Sequence, residues 1–265
     1  MAKLRVATAQ FPVAASIARN LRYMADLICQ AKEQKADVAH FSETCLGGYA
    51  GCEFKSWDGY DWDELQAADD ELRRLAGKLR IALVYGTNHR ISAGDVRNAL
   101  FYVATAGQRE GRYDKRFCTT GDLEYYRAGQ RFVTFELKGF TCGLLICHDM
   151  RYPELYRAYK KRGVQVLFQS FYNARGQGPN IHTEIVRPSL QTHAAENYFY
   201  ISAPNASGHY QSWPSTFVLP DGRIGASCRQ HRAGLVVNEI DARDKFYDAS
   251  AAFRARAMRG VLYSG

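Results

Sequence analysis

Hydrophobic residues recur along the chain at two spacings, and the longer spacing is typical of helices. Four segments follow it: residues 16–36, 62–79, 152–162 and 181–197. Ser16 is suited to cap the first helix, and Gly163 to end the third. Pro188 lies inside the last segment and indicates that its regular helix begins at the proline.

The shorter spacing predicts strands. Runs that alternate, or that are rich in β-branched and aromatic residues, cover residues 4–10, 37–41, 81–89, 98–105, 132–137, 141–147, 164–170, 198–203, 216–219 and 234–240. Lys138 and Gly139 indicate a hairpin between 132–137 and 141–147. Residues 111–129 have no clear period and are predicted to form a structured loop.

These elements predict an α/β protein of packed layers. Strands and helices alternate at both ends of the chain, and hairpins occupy the middle. Nearly continuous apolar strands such as residues 164–168 indicate sheets that helices cover on at least one face. No repeat or linker divides the chain, so residues 1–265 are predicted to form one domain with mixed sheets.

Composition narrows the class of protein. The 265 residues are 46% hydrophobic and 23% charged, which is ordinary for a globular protein. No apolar run approaches the roughly 18 residues of a membrane span, and the first residues lead into a strand without a signal-peptide core. The sequence therefore predicts a cytoplasmic protein without a membrane partner.

Charge and cysteine content exclude two further classes. The net charge of +8 raises the question of nucleic-acid binding, but the basic residues are spread along the chain and alternate with acidic ones. Seven cysteines are odd in number and lack zinc-site spacing. We therefore expect neither a nucleic-acid partner, nor a disulfide framework, nor a metal or other cofactor.

One stretch combines a strand end with a reactive residue. Residues 143–146 are a strand, Cys147 follows, and Pro153 with Glu154 is typical of a helix start. A cysteine at such a turn faces the unpaired N–H groups of a helix N-terminus, which lower the pKa of a thiol. Cys147 is therefore a candidate nucleophile.

Two charged residues, like Cys147, lie where a strand ends or a loop begins. Glu43 follows the strand of residues 37–41 by two residues, and Lys115 lies near the start of the loop of residues 111–129. Ligands of open α/β sheets bind beyond the carboxyl ends of strands. We therefore expect Glu43, Lys115 and Cys147 to converge, although spacing alone leaves each of them open to a structural role.

An ordered set of motifs over more than 200 residues resembles the nitrilase, or carbon–nitrogen hydrolase, superfamily. The matching residues are Ala9-Gln10-Phe11-Pro12, Asn20-Leu21, Glu43 with Gly48-Tyr49, Tyr113-Asp114-Lys115, Glu124 with Gly129, Cys147-x-Asp149-x-Arg151-Tyr152-Pro153-Glu154, Ala195-Glu196-Asn197, and Ser215 with Pro220-Asp221-Gly222. The resemblance implies an α-β-β-α sandwich that usually forms a homodimer or a higher homo-oligomer. It also implies a Glu43-Lys115-Cys147 triad supported by Glu124.

These residue types suit amide hydrolysis. A thiolate attacks a carbonyl carbon, and a thioester divides one difficult step into two easier ones. The resemblance implies that Glu43 is the general base, that Lys115 and the backbone N–H of His148 stabilise the oxyanion, and that Glu124 orients Lys115 or the substrate nitrogen. The substrates would be water and a small amide.

Several neighbouring residues have competing interpretations. Glu110, Asp122 and Glu136 are alternatives to Glu124 for carboxylate work. The side chain of His148 is an alternative base, although adjacent residues on a sharp turn point in different directions. Asp149 and Arg151 are expected to form a structural pair, and His193 to be packed or at an interface.

Departures from the family pattern bear on the substrate. Ser42 stands where many members have proline, and residues 118–122 replace a more apolar run. Asp149-Met150 follows the cysteine where true nitrilases have Glu-Asn, which favours amidases and carbamoylases. Tyr49, Phe171, Tyr172 and Asn173 are predicted to line a pocket for an apolar or extended acyl group.

The sequence thus predicts a hydrolase that cleaves the carbon–nitrogen bond of a small linear amide and releases ammonia or an amine. Hydrolysis of N-carbamoyl compounds is the first alternative, and nitrile hydrolysis the second. A non-catalytic interaction partner is the alternative from another class, and the three triad residues argue against it.

Overall fold

The fold consists of two mixed sheets packed face to face. A computed structural model describes residues 2–173 and 180–264, and in these residues twelve strands form two six-stranded sheets. The first sheet consists, in spatial order, of β12 (Gly234–Asp241), β1 (Lys3–Gln10), β2 (Val38–His40), β3 (Ala82–Ser92), β4 (Asp95–Val103) and β5 (Arg109–Asp114). The second consists of β11 (Ile224–Ser227), β10 (Thr216–Val218), β9 (Tyr200–Ala203), β8 (Val166–Ser170), β7 (Phe140–Ile146) and β6 (Thr134–Leu137).

Each sheet has parallel strands at its centre. In the first sheet β2 pairs in parallel with both β1 and β3, and in the second β8 pairs in parallel with both β7 and β9. The remaining pairs are antiparallel. The carboxyl ends of the central strands therefore open at one edge of each sheet, where ligands of α/β proteins bind.

Helices cover the outer face of each sheet. Five helices are described: α1 (Ile17–Glu33), α2 (Trp62–Leu79), α3 (Pro153–Lys161), α4 (His182–Asn197) and a short α5 (Arg254–Ala257). Met24 of α1 and Leu72 of α2 are buried in one apolar cluster with Ala39 of the first sheet. Tyr159 of α3 and Leu190 of α4 belong to the cluster that includes the second sheet. The predicted α-β-β-α sandwich is confirmed.

Alternation along the strands decides which residues lie between the sheets. In β2, Ala39 packs with the helices, whereas Val38 belongs to the cluster shared with the second sheet. His40 lies on the same face as Val38 and contacts the ring of Phe168 in β8 edge-on at 5.1 Å. The space between the sheets is therefore mainly apolar, with His40 among the buried polar side chains that lie in it.

Local sequence signals account for most of the elements. Helix α2 has the predicted bounds, and the Ser16 side chain accepts a hydrogen bond from the Arg19 N–H at 3.2 Å as the cap of α1. The hairpin of β6 and β7 turns at Lys138 and Gly139, both with positive φ. These features follow from short-range patterns, which explains why the sequence predicts them.

Two expectations are wrong, and one strand is missing from the predicted elements. Residues Arg109–Asp114 form β5 rather than a loop, because this edge strand exposes several polar side chains and lacks an apolar period. Helix α4 begins at His182 and continues through Pro188, since buried Val186 and Leu190 hold it against the sheet. Strand β11 is not among the predicted elements, because its residues are only partly buried.

Candidate active site

The candidate nucleophile lies on a strained turn. Cys147 follows the last residue of β7 and has φ of +41°, a conformation that costs a non-glycine residue energy. It opens a 3₁₀ turn, Cys147–Arg151, and α3 begins two residues later at Pro153. The predicted order of strand, sharp turn and helix is thus observed, with a short 3₁₀ segment between the cysteine and the helix.

Asp149 holds this turn in place and does not pair with Arg151. Its buried carboxylate accepts hydrogen bonds from the Ile146 N–H at 3.0 Å, the Phe117 N–H at 2.9 Å and the Tyr113 hydroxyl at 2.7 Å. The expected pair is therefore wrong. Arg151 is exposed, and Asp149 instead joins the cysteine turn to the chain on both sides of Lys115.

Glu43 is positioned by the backbone after β2. This segment passes so close to Gly86 of β3 that a Cβ there would lie 2.3 Å from the Thr44 nitrogen and 2.6 Å from the Ser42 oxygen. The Gly86 N–H donates to the Ser42 carbonyl at 3.2 Å. A glycine on the neighbouring strand is therefore required where the chain leaves β2 toward Glu43.

Lys115 is buried between two carboxylates. Its Nζ lies 2.7 Å from Glu43 Oε1 and 2.8 Å from Asp122 Oδ2, and the side chains of Lys115 and Glu43 are 1% and 0% exposed. Asn98 also donates to Glu43 Oε1, at 2.7 Å, and the Tyr172 N–H donates to Oε2 at 3.0 Å. A buried cation with two acceptors has its charge compensated in place.

The second carboxylate at Lys115 is Asp122, not Glu124. The Asp122 carboxylate also accepts hydrogen bonds from the Tyr49 hydroxyl and from the Thr119 N–H, the latter at 2.9 Å. Glu124 lies in the same 3₁₀ turn, Asp122–Glu124, but is exposed to solvent. The position predicted for Glu124 is therefore wrong, and one of the alternatives lies where it was expected.

Burial and mutual interactions shift the pKa values of Glu43, Lys115 and Asp122. Burial raises the pKa of Glu43, although the charge of Lys115 opposes this. Burial lowers the pKa of Lys115, but the charges of Glu43 and Asp122 outweigh it and raise that pKa well above the usual value. Burial also acts upward on Asp122, yet Lys115 holds the pKa of that carboxyl below its usual value. The paired carboxylates therefore favour the charged form of Lys115.

The thiol of Cys147 has a raised pKa. The residue is partly accessible, but the protein that surrounds it raises the pKa of the thiol well above the usual value, and the Glu43 charge raises it further. Lys115 acts in the opposite direction. The expectation that a helix N-terminus lowers this pKa is wrong, because burial and a facing carboxylate outweigh it.

The backbone of Tyr172 contacts both Cys147 and Glu43. Its N–H donates to Glu43 Oε2 at 3.0 Å, while its carbonyl oxygen lies 3.9 Å from the Cys147 sulfur. The Glu43 N–H in turn donates to the Phe171 carbonyl at 3.2 Å. One peptide segment after β8 thus contacts both reactive groups.

A small cavity opens in front of Lys115 and Cys147. Its volume is about 150 Å³, and its wall contains every predicted pocket residue together with others that the sequence analysis did not identify. The lining residues are Tyr49, Lys115, Thr119, Cys147, His148, Met150, Arg151, Phe171, Tyr172, Asn173, His182, Val186 and Trp213. The wall is therefore largely aromatic and apolar, and its basic members are Lys115, His148, Arg151 and His182.

Packing explains the aromatic side of the cavity. Tyr49 stacks on Tyr172 with ring centroids 4.9 Å apart, and Trp213 meets Phe171 edge-on at the same distance. The Asn173 N–H donates to Gln211 Oε1 at 2.9 Å, which ties the loop after β8 to the loop that carries Trp213. No local pattern in the sequence marks Trp213, since it follows no predicted strand end.

Two histidines near the cavity have distinct environments. His148 is half-buried beside Cys147, and burial lowers the pKa of its ring. His193 is buried, stacks on Tyr156 at 3.9 Å, and bonds to the Met150 carbonyl at 3.1 Å. The packed role expected for His193 agrees with these contacts.

Residues 2–173 and 180–264 contain no group of three or more His, Cys, Asp or Glu side chains arranged to hold a metal ion. Within the same ranges, no helix has the length and hydropathy needed to cross a membrane.

The site therefore combines a nucleophile, a buried carboxylate and a fixed cation at one cavity. Such a set of groups can transfer a proton from the thiol, form a bond to a carbonyl carbon and stabilise the negative oxygen that results.

Comparison with known proteins agrees with this geometry. The model of the carbon–nitrogen hydrolase family matches residues 5–244. The chain is 26% identical over 226 residues to the 2-oxoglutaramate amidase of Bacillus subtilis, covering 83% of this chain and 84% of that protein. It is 25% identical over 256 residues to the omega-amidase NIT2 of Homo sapiens, covering 91% and 90%.

The fold is also similar to a solved structure. That structure is a cysteine-to-alanine mutant of an amidase of the nitrilase superfamily from Nesterenkonia AN1, with a TM-score of 0.82, 21% identity, and 98% of each chain covered.

Proposed function

Because the chain belongs to the carbon–nitrogen hydrolase family, we propose that it hydrolyses a small linear amide through a thioester on Cys147 and releases ammonia or an amine. The observation that carries this proposal is the burial of Lys115 between Glu43 and Asp122 beside the Cys147 cavity. Burying three charged groups costs several kcal/mol per ion before pairing offsets it. A purely structural or scaffolding role gives no reason to place them at a cavity.

In the first half-reaction, Cys147 Sγ attacks the amide carbonyl carbon while Glu43 takes the thiol proton. The raised pKa of Glu43 suits a carboxylate that must both accept and return a proton near neutral pH. The carbonyl oxygen becomes negative, and Lys115 Nζ with the His148 N–H would stabilise it. The carbon–nitrogen bond then breaks as Glu43 gives the proton to the leaving amine.

In the second half-reaction, water attacks the thioester carbon. Glu43 accepts a proton from the water, the carbon–sulfur bond breaks, and the proton returns to the sulfur of Cys147. The net reaction consumes one amide and one water and produces one carboxylic acid and one amine. Asp122 keeps Lys115 charged and oriented throughout, because its carboxylate contacts the Nζ directly.

The cavity supports a substrate of limited size. A volume of about 150 Å³ is small beside the roughly 300–1,000 Å³ of sites for drug-sized ligands. Tyr49, Phe171 and Trp213 would contact the acyl chain, and Arg151, which also lines the cavity, would pair with a distal carboxylate. The name of one relative, the 2-oxoglutaramate amidase of Bacillus subtilis, adds 2-oxoglutaramate to the amides worth testing.

The test is release of ammonia from a panel of 2-oxoglutaramate, butyramide, N-carbamoyl amino acids and nitriles. Turnover of an amide together with its loss in Cys147→Ala is expected. As a control, Cys29→Ala removes an exposed thiol and should leave the rate unchanged. The mass of the chain, quenched during turnover, should increase by one acyl group on Cys147.

Other outcomes would favour the alternatives. Turnover confined to the carbamoyl compounds or to the nitriles would assign the corresponding reaction. Unchanged amide turnover in Cys147→Ala would exclude the nucleophile, and no turnover of any compound would favour a binding role.

We also propose that the chain forms a homodimer or a higher homo-oligomer. Its C-terminal segment exposes large apolar side chains, with Tyr247 at 80% and Leu262 at 84%. Apolar side chains grouped in one segment are typical of an association surface. Light scattering with size-exclusion chromatography should give at least twice the 29.9 kDa mass of one chain.

A further inference from the structure

A continuous line of hydrogen bonds joins the two sheets near the cavity. Thr8 Oγ1 lies 2.7 Å from Ser202 Oγ, which lies 2.8 Å from His40 Nδ1. His40 Nε2 lies 2.9 Å from Ser170 Oγ, and that hydroxyl donates to the Phe41 carbonyl at 2.7 Å. We name these five residues the inter-sheet chain. All of them are buried.

The bonds of the inter-sheet chain run in one direction. Ser170 gives its hydroxyl hydrogen to the Phe41 carbonyl, so its oxygen must accept the hydrogen on His40 Nε2. Burial lowers the pKa of His40 well below its usual value, so the ring is neutral and Nδ1 is an acceptor. Nδ1 therefore accepts from Ser202, whose oxygen in turn accepts from Thr8.

The inter-sheet chain ends where the reactive groups begin. Glu43 lies two residues after Phe41, and Tyr172 lies two residues after Ser170. The Tyr172 N–H donates to Glu43 Oε2, and its carbonyl oxygen is the neighbour of the Cys147 sulfur. The bond from Ser170 to Phe41 thus joins the segment that contains Glu43 to the segment that contains Tyr172.

The position of one sheet relative to the other matters for the proposed reaction. Glu43 and Lys115 follow strands of the first sheet, whereas Cys147 follows a strand of the second. Hydrogen bonds at Glu43 and Asp149 also join the two sheets, but most of the packing between them is apolar and non-directional. Hydrogen bonds, by contrast, favour one alignment. A buried polar network is therefore suited to set the alignment that brings Glu43 to Cys147.

We propose that His40 is a positioning residue, which aligns Glu43 with Cys147 by holding Ser170 against the Phe41 carbonyl. This inference rests on the proposed function, because it takes Glu43 and Cys147 as the reacting pair. It adds a residue that contacts neither substrate nor the reacting atoms. His40 acts through Ser170 and the backbone between them.

The test compares His40→Leu with His40→Gln. Leucine keeps the volume but removes both hydrogen bonds, and a misplacement of about 1 Å should lower kcat roughly 10- to 100-fold with KM changed less than about threefold. The glutamine side chain can donate to Ser170, so it should recover most of kcat, to within about fivefold of wild type.

The matched control is Val38→Ala, on the same strand and the same face as His40. It opens a cavity between the sheets but leaves the inter-sheet chain intact, so it should lower the urea midpoint while kcat stays within about twofold. An equal loss of kcat in Val38→Ala, or an unchanged kcat in a folded His40→Leu, would overturn the proposal.

If His40→Leu does not fold, Ser202→Ala and Thr8→Val test the role of the inter-sheet chain at its other end, on the Nδ1 side of His40. Ser202 contacts the ring and Thr8 does not, so kcat should fall more for Ser202→Ala than for Thr8→Val. The reverse order, or no loss in either, would contradict the inference. Turnover by Cys147→Ala would instead show that the proposed function itself has failed.

Discussion

Asp122 and Glu124 lie two residues apart in one 3₁₀ turn, yet the structure places them in opposite environments. Asp122 is buried against Lys115, Tyr49 and the Thr119 N–H, while Glu124 is exposed. Of these two residues, only Asp122 contacts Lys115. We therefore predict that Asp122→Ala is severe and that Glu124→Ala is nearly silent.

The contacts define the expected size of the difference. Asp122→Ala leaves the Tyr49 hydroxyl and the Thr119 N–H without an acceptor and takes one of two carboxylates from Lys115. Breaking a buried ion pair from one side costs about 3–5 kcal/mol. At roughly 2–4 °C per kcal/mol, the Tm should fall by about 6–20 °C. Glu124→Ala should change the free energy of unfolding by less than about 0.5 kcal/mol.

The rate of amide hydrolysis should follow the same order. Without Asp122, Lys115 is held by Glu43 alone, so the proposed oxyanion donor would be displaced and kcat should fall about 100-fold or more. Glu124→Ala should retain kcat. Thermal unfolding and steady-state kinetics of both variants supply the comparison, at a temperature where each is folded. Loss of activity in Glu124→Ala with retention in Asp122→Ala would refute the argument.

Three further outcomes follow from the site. Besides burial, the charge of Asp122 raises the pKa of Glu43. Asp122→Asn should therefore move the acid limb of the pH profile of kcat/KM to lower pH. A shift of that limb to higher pH would contradict this reasoning. Gly86→Ala should displace Glu43 and lower kcat about 100-fold, whereas Gly234→Ala, whose added Cβ contacts nothing within 4 Å, should retain it. His148→Ala keeps its backbone N–H and should retain kcat within about threefold. Loss of an oxyanion donor lowers the rate by about 10²–10³, so a decrease of that size would indicate that the imidazole side chain takes part in the reaction.

The sequence predicts the layers, and it predicts that the candidate residues Glu43, Lys115 and Cys147 converge, because both depend on patterns that are short or ordered along the chain. Helix α2 and the hairpin of β6 and β7 follow from periodicity and turn chemistry. Cys147 follows from its strand-to-helix turn. Glu43 and Lys115 follow from strand ends together with the family motifs, and these residues meet because two sheets place their strand ends side by side.

The sequence does not predict which carboxylate meets Lys115. A motif comparison matches residue types, whereas a 3₁₀ turn has three residues per turn and so separates residues two apart by about 240°. Asp122 and Glu124 therefore point in different directions, and only one reaches the interior. A similar limit applies to His40, whose partners Ser170 and Ser202 lie 130 and 162 residues away. Neither relation has a local signature.

The raised pKa of Cys147 changes how the proposed nucleophile would work. A cysteine with a lowered pKa would rest as a thiolate and need no base for attack. Here burial and the Glu43 charge favour the thiol, so attack requires a proton acceptor in the same step. Glu43 has a raised pKa from its own burial, which brings its proton affinity nearer to that of the sulfur. The same desolvation thus keeps the thiol protonated and makes the carboxylate a stronger base, which is why the proposed reaction depends on the alignment of the two sheets that carry them.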